Sequence, residues 1–364
     1  MRFGTLWLFG MAVMPICTGL AQDTVILRDL SVVKGSIKTL DSKKIEFADG
    51  RRLEWRDALS SNVAEPLKSQ FQQFVAEKGL PLFHAEQKLR LQELVGLGEL
   101  AETLFRQLAS EPDRFSDGEG FLICVAAMKS RVASGDRANA VLPFLKATEL
   151  FRQKKVARER VEQLGVSPTD LQAGVAVSIW PVWFDRANST AAVKDLQATL
   201  ASDISKNSSG LLYYLASLHL YLNSADKAKP LIEELNGRKL PVGWMEILKT
   251  QFDIAEGRNV SAVSRLQNEL TNFPYKLRMA ANFVVGSELG KDPQSADLAV
   301  LKLLEIPASE KESEFAMGSA ALYESINILK KTGQTREVVT LQNELLSRFP
   351  NTYHGRLLKL QLTK

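Results

Sequence analysis

Cysteine is scarce. The 364-residue chain has two, Cys17 and Cys124. Cys17 falls in an apolar leader that the pattern marks as removable, so Cys124 is left alone and no intramolecular disulfide is expected. Cys124 lies in Phe121-Leu122-Ile123-Cys124-Val125-Ala126-Ala127-Met128, where a small buried hydrophobe fits better than a nucleophile. Histidine is also rare: His84, His219 and His354 fall on three separate predicted helices. No His-Glu-x-x-His zinc helix and no Gly-x-Ser-x-Gly elbow occurs. There is no strong excess of one charge, the formal balance being +4, and so no footprint for nucleic acid. The densest basic stretch, Arg152, Lys154, Lys155, Arg158 and Arg160, is interrupted by Glu159 and flanked by Glu149 and Glu162. It reads as a solvated helix face. After the first twenty residues no charge-free apolar run reaches transmembrane length.

The start of the chain is distinctive. Arg2 is followed by an apolar run from Leu6 to about Leu20, broken at Pro15. Gly19 and Ala21 then stand before Gln22-Asp23. A positive start, a short apolar run and small residues near its end are the marks of an exported chain's signal peptide. Residues 1–21 are expected to be removed; the alternative is an uncleaved membrane anchor, for which the apolar run is short. A lipoprotein signal is disfavoured, because Ile16 rather than a small residue precedes Cys17.

From Thr24 to about Asp57 the hydrophobic period is close to two, which predicts a small β module over 22–60. Thr24–Arg28, Val32–Leu40, Lys43–Ala48 and Arg51–Trp55 are the expected strands, with Gly35 as a bend. Asp49-Gly50 is the strongest hairpin signal, as a two-residue turn with positive φ at both positions. Ile26, Ile37, Ile45, Phe47, Leu53 and Trp55 are the expected core. So few residues make a marginal sheet, expected to lean on helices starting near Glu65-Pro66-Leu67. The pattern resembles the small SH3-like barrels found near the N-termini of some bacterial envelope proteins.

Beyond Pro66 the period becomes helical and no convincing strand returns. The string Leu-Gln-Asn-Glu-Leu occurs at Leu266–Leu270 and again at Leu341–Leu345, each soon followed by Phe-Pro and each preceded by a turn glycine, Gly257 or Gly333. Helix, glycine turn, helix and terminal proline describe one helical hairpin. Another hairpin is expected from Leu211–Leu222 and Asp226–Leu235, turning at Asn223-Ser224. Ala228, Ala262 and Ala296 are spaced by 34 residues. This region resembles the tetratricopeptide repeat, whose 34-residue unit is a pair of antiparallel helices. Gly257, Ala262 and Pro274 stand at the turn glycine, small packing residue and terminal proline of that family. In the last copy Gly333 and Pro350 match, and Val338 replaces the alanine. Weaker copies include Ala101–Phe105 with Pro112, Gly135 with Ala140 and Phe144, and Trp180, Trp183 and Ala192, where Pro181 should kink the first helix. Thr148–Gly165 fits no unit. The last helix, about Thr352–Leu362, should cap the stack. The fold class expected is therefore mainly α: residues 61–364 form an α-solenoid of antiparallel, tetratricopeptide-like hairpins, preceded by a small β-meander or barrel.

The remaining motifs favour packing over chemistry. Gly96-Leu97-Gly98-Glu99-Leu100-Ala101 matches a dinucleotide pattern but lacks the βαβ context that pattern needs. Gly286-Ser287-Glu288-Leu289-Gly290-Lys291 is one residue short of a phosphate loop, with Asp292 where Ser or Thr belongs. Nothing in the spacing marks a catalytic residue, a cofactor or a metal. The function expected is an exported scaffold of the periplasm or bacterial cell envelope that binds a protein or peptide without catalysis. An accessory subunit of a cell-wall or polysaccharide-processing enzyme, or a hydrolase with a site invisible in sequence, is the alternative. In the resembled family the first helix of each hairpin lines the concave face. Carried over here, that face includes Tyr213, Ser217 and Tyr221, then Trp244, Ile247 and Gln251 as partner-binding residues. The alternative for the aromatics is packing between hairpins.

Overall fold

The computed structural model describes residues 23–65, 67–201, 208–309 and 315–363. The expected signal peptide lies outside them. The chain divides into two compact units, one ending at Gly79 and the other running from Leu80 onward.

The first unit carries six short strands: β1 (Thr24–Leu27), β2 (Val32–Lys34), β3 (Ile37–Leu40), β4 (Ile45–Phe47), β5 (Arg52–Leu53) and β6 (Ala58–Asn62). They form two antiparallel three-stranded sheets, β2-β1-β6 and β3-β4-β5. The sheets do not close into a barrel, because none of the ladders joins one sheet to the other. Strands this short offer few groups for such a seam. β6 is absent from the sequence reading: Ser60-Ser61-Asn62 has turn composition, yet Ser61 and Ser60 pair with Val25 and Ile26. The Asp49-Gly50 turn also differs from expectation. Gly50 alone takes positive φ, +87°, and the Phe47 amide donates to the Arg51 carbonyl at 2.9 Å. This is a three-residue hairpin loop with glycine in the left-handed position.

Val25, Ile45, Phe47 and Trp55 are fully buried. The core is completed by a helix, α1 (Leu67–Phe74), so the unit extends past the strands. The Trp55 ring lies 5.4 Å from that of Phe71 and 4.9 Å from that of Phe74. The Trp55 indole N–H donates to the Asp41 carbonyl at 2.8 Å, which satisfies the one polar atom that burying the indole would strand.

The second unit is helical, and its buried side chains form one continuous apolar cluster from Leu82 to Leu358. Its helices are α2 (Leu80–Arg90), α3 (Gly98–Ser110), α4 (Asp117–Ser134), α5 (Arg137–Arg152), α6 (Arg158–Gln163), α7 (Pro168–Ala173) and α8 (Arg186–Ala201). They are followed by α9 (Ser209–Tyr221), α10 (Ala225–Leu235), α11 (Trp244–Ala255), α12 (Asn259–Glu269), α13 (Tyr275–Leu289), α14 (Ala296–Ser309), α15 (Phe315–Lys331), α16 (Thr335–Arg348) and α17 (Tyr353–Leu362). Local chemistry sets many of the ends. Ser116 and Glu119 make a reciprocal capping box at α4. Asp136, Ser167, Ser208 and Thr352 cap α5, α7, α9 and α17 through side-chain oxygens. Gly257 and Gly333 turn the chain at φ +83° and +77° between α11 and α12 and between α15 and α16.

Sequential helices pack as pairs: α4 with α5, α9 with α10, α11 with α12, α13 with α14 and α15 with α16. The first helices also touch along their own row: α9 on α11, α11 on α13, α13 on α15 and α15 on α17. Ala228 and Ala262 are fully buried, and Ala296 nearly so. The expected helix through Trp180 and Trp183 does not form. Val177–Ile179 is a single 3-10 turn, and Trp180 leaves it extended at φ −61°, ψ 150°. Pro181 imposes this, since a residue before proline is driven out of the α region.

Candidate functional site

The best-defined polar arrangement lies on the face that α9 and α11 share. The α9 sequence Gly210–Leu220 is buried throughout, because an apolar helix with no polar stripe must be covered on all sides. Its cover on one side is a segment of the same chain. From Ala176 to Phe184 this strap crosses α9 and α11, and its main chain is held by side chains. The Tyr214 hydroxyl accepts from the Ala176 amide at 2.8 Å and donates to the Ala176 carbonyl at 3.4 Å. The Gln251 amide nitrogen donates to the Pro181 carbonyl at 2.7 Å. The Trp183 indole N–H donates to the Ser217 hydroxyl at 3.0 Å, which donates in turn to the Gln251 side-chain oxygen at 3.4 Å. The strap's own Ile179, Trp180 and Trp183 are buried.

The six residues expected to bind a partner are therefore brought to one region, but with an occupant already present. Ser217 and Gln251 grip the strap. Tyr213, Trp244 and Ile247 are buried, and the Tyr213 and Trp244 rings pack edge to face at 5.2 Å. Tyr221 and Gln251 are partly buried. As folded, then, Tyr213, Ser217, Trp244 and Ile247 offer no surface, and packing between hairpins is the role their burial fits. The Tyr213 hydroxyl is buried without a hydrogen-bond partner, and burial raises its pKa well above the ordinary phenol value.

Sequence reasoning missed the residues that continue this face past the strap's end. The Phe184 ring lies 6.0 Å from that of Phe283 on α13 and 4.5 Å from that of His354 on α17. Tyr323 on α15 and Tyr353 on α17 flank the same histidine at 5.4 and 5.1 Å. Phe184, Phe283, Tyr221, Tyr323 and Tyr353 keep partial exposure. They come from five separate stretches of chain, so no local spacing could have united them. Tyr221 was already among the expected binding residues; for Phe283, Tyr323 and Tyr353 the one available signal was a place on first helices, and Phe184, on the strap, had none.

His354 is buried, and burial first, with the nearby Arg137 charge second, pulls its pKa down to about 3. At neutral pH it is an uncharged ring among aromatics and a poor general base. His219 is buried too, its Nε2 3.4 Å from Gln197 Nε2. Cys124 is fully buried and its thiol is pushed up to about 12, which leaves it unreactive. Among the described residues no group of three or more His, Cys, Asp or Glu side chains is placed to hold a metal ion. The two glycine-rich strings have structural uses. Gly98 opens α3 after a 3-10 turn with no strand before it, whereas Gly286 and Gly290 let Leu303 and Ile328 approach α13. Most of the basic stretch is engaged: Arg160 pairs with Glu86 at 2.7 Å, Arg158 with Glu162 and Lys155 with Asp117. No helix among the described residues is long and apolar enough to cross a membrane. No protein-family model, curated protein or solved structure matches this chain.

Proposed function

We propose that the protein is an exported, non-catalytic scaffold of the periplasm or bacterial cell envelope that grips an extended peptide segment of a protein partner. In this reading the helical pairs are tetratricopeptide-like units stacked into a solenoid, with an SH3-like module ahead of them. One observation carries it: the α9–α11 face already holds a segment that forms no α-helix, Ala176–Phe184, partly through side-chain bonds to main-chain groups. Bonds to main-chain amides and carbonyls read backbone shape rather than side-chain identity, which is how a groove accepts a foreign peptide. The partner's segment continues where the strap stops, over Tyr221, Phe283, Tyr323 and Tyr353. Tyrosine supplies large contact area with two rotatable angles, so little entropy is lost on binding.

Site-specific photocrosslinking in the native host tests this. A photoreactive phenylalanine analogue replacing Tyr323 should capture a discrete protein, and the same analogue at Val260, 84% exposed on α12, should not. Equal labelling at both positions, or none at Tyr323, would refute it.

A further inference from the structure

A concavity lies where α17 meets the α4–α5 turn. It has a volume near 290 Å³, at the lower end of the range for small-molecule sites. Its walls come from α3 (Gly98, Glu102), α4 (Ser130, Arg131), the N-cap of α5 (Asp136) and α17 (Arg356). Two guanidinium groups are fixed there. Arg131 makes a fork pair with Glu102 at 2.6 and 2.8 Å and gives a third bond to the Asn139 carbonyl at 2.7 Å. Arg356 is anchored by two main-chain carbonyls, Asn351 at 2.5 Å and Ser134 at 2.9 Å. No carboxylate among the described residues pairs with Arg356. Asp136 is turned onto the Asn139 side chain at 2.9 and 3.1 Å. Ser130 is largely buried, but its hydroxyl opens on the cavity and makes no hydrogen bond within the described protein. A hydroxyl so placed is hydrated by the solvent in the cavity and can give its bond to a ligand that displaces that solvent.

We infer that this cavity binds a small zwitterion, a free α-amino acid. Two carboxylates and two guanidiniums leave the walls near neutrality. A dianion such as phosphate would face Glu102 and Asp136, and a simple cation would face Arg131 and Arg356. A zwitterion satisfies both signs: its carboxylate takes the free donors of Arg356 and the Ser130 hydroxyl, and its ammonium group takes Glu102 and Asp136. Bidentate guanidinium–carboxylate contact is the strong, directional form of such a bond. Because Arg356 belongs to α17 and the other walls to α3, α4 and α5, the ligand also ties the end of the chain to its early helices.

The test uses the intact protein with the twenty L-amino acids one at a time, and with acetate, methylamine and inorganic phosphate as controls. Isothermal titration and melting curves give the readout. The inference requires one-to-one binding of at least one amino acid, with none of the controls binding comparably. Arg356→Gln should weaken that binding about tenfold or more. Gly98→Val should abolish it by growing into the cavity. An added Cβ at Gly98 meets only the Ser130 hydroxyl, at 3.6 Å; with its own melting midpoint measured beside its binding, this second variant decides the matter if Arg356→Gln melts early. The inference is overturned if no amino acid binds at about 10 mM, if phosphate or acetate binds as well as the amino acids, or if neither variant weakens binding.

Discussion

At the scale of single residues, His354 is the group whose environment makes the sharpest demand. Its pKa of about 3 in the folded protein lies well below the unfolded value near 6.5. Above that upper value both states hold a neutral ring, and stability is unaffected. As pH falls from about 6.5 towards 3, the unfolded chain takes up a proton that the native state refuses, so folding is progressively weakened, by about 3–5 kcal/mol near the lower limit. Denaturant titrations between pH 7 and pH 4 should show this loss, and His354→Gln should flatten that part of the profile. An unchanged slope in the variant would assign the acid sensitivity to other groups. Tyr213 and Trp244 make a companion pair of tests. Trp244→Ala should cost about 3–5 kcal/mol, as the loss of a large core side chain does, read as a lowered denaturation midpoint. Tyr213→Phe should be neutral or slightly stabilising, because it removes a buried hydroxyl that bonds to nothing. A large loss from Tyr213→Phe would mean that the hydroxyl is satisfied in solution.

At the scale of elements, the α4–α5 turn and α17 are built for each other. Gly135 takes φ +91° at the end of α4, a conformation costly for other residues. A Cβ there would sit 2.2 Å from the Tyr353 Cβ. Gly135→Ala should therefore strain the turn and push α17 away together, with a loss of about 2 kcal/mol or more. Hydrogen exchange should show the amides of α17 losing protection before those of α4. Protection lost uniformly would place the damage in the turn alone. The boundaries of these elements were readable because the signals are local. Asn223-Ser224 turns α9 into α10, Gly257 turns α11 into α12, and α17 begins after Thr352, each within a residue or two of the pattern's own limits. The elements that escaped notice lack such signals. β6 has turn composition and becomes a strand only because β1 offers it a partner. The strap is apolar enough for a helix, but Pro181 withholds it from one.

At the scale of the whole molecule, export is the expectation most open to a direct check. Protein purified from its native source should give an N-terminal sequence beginning near Gln22, and an intact Met1 would rule out cleavage at that point. Two properties, hydrophobic period and punctuation, sufficed to assign a chain that is β at the front and helical thereafter, and to place first helices such as α9 and α11. Both act over a few residues, so a linear string records them. What covers those helices was decided elsewhere. Tyr213, Ser217, Trp244, Ile247 and Gln251 were grouped by their helical register, but whether that register faces solvent depends on residues up to 70 positions away, as in the bond from Gln251 to Pro181. The aromatic cluster around His354 and the cavity beneath Arg356 depend on the same kind of closure, with Arg356 reaching Ser134 across 222 residues. A side chain's polarity is written in its own chemistry. Its exposure is a property of whatever else the chain brings against it, and only the assembled tertiary structure determines that.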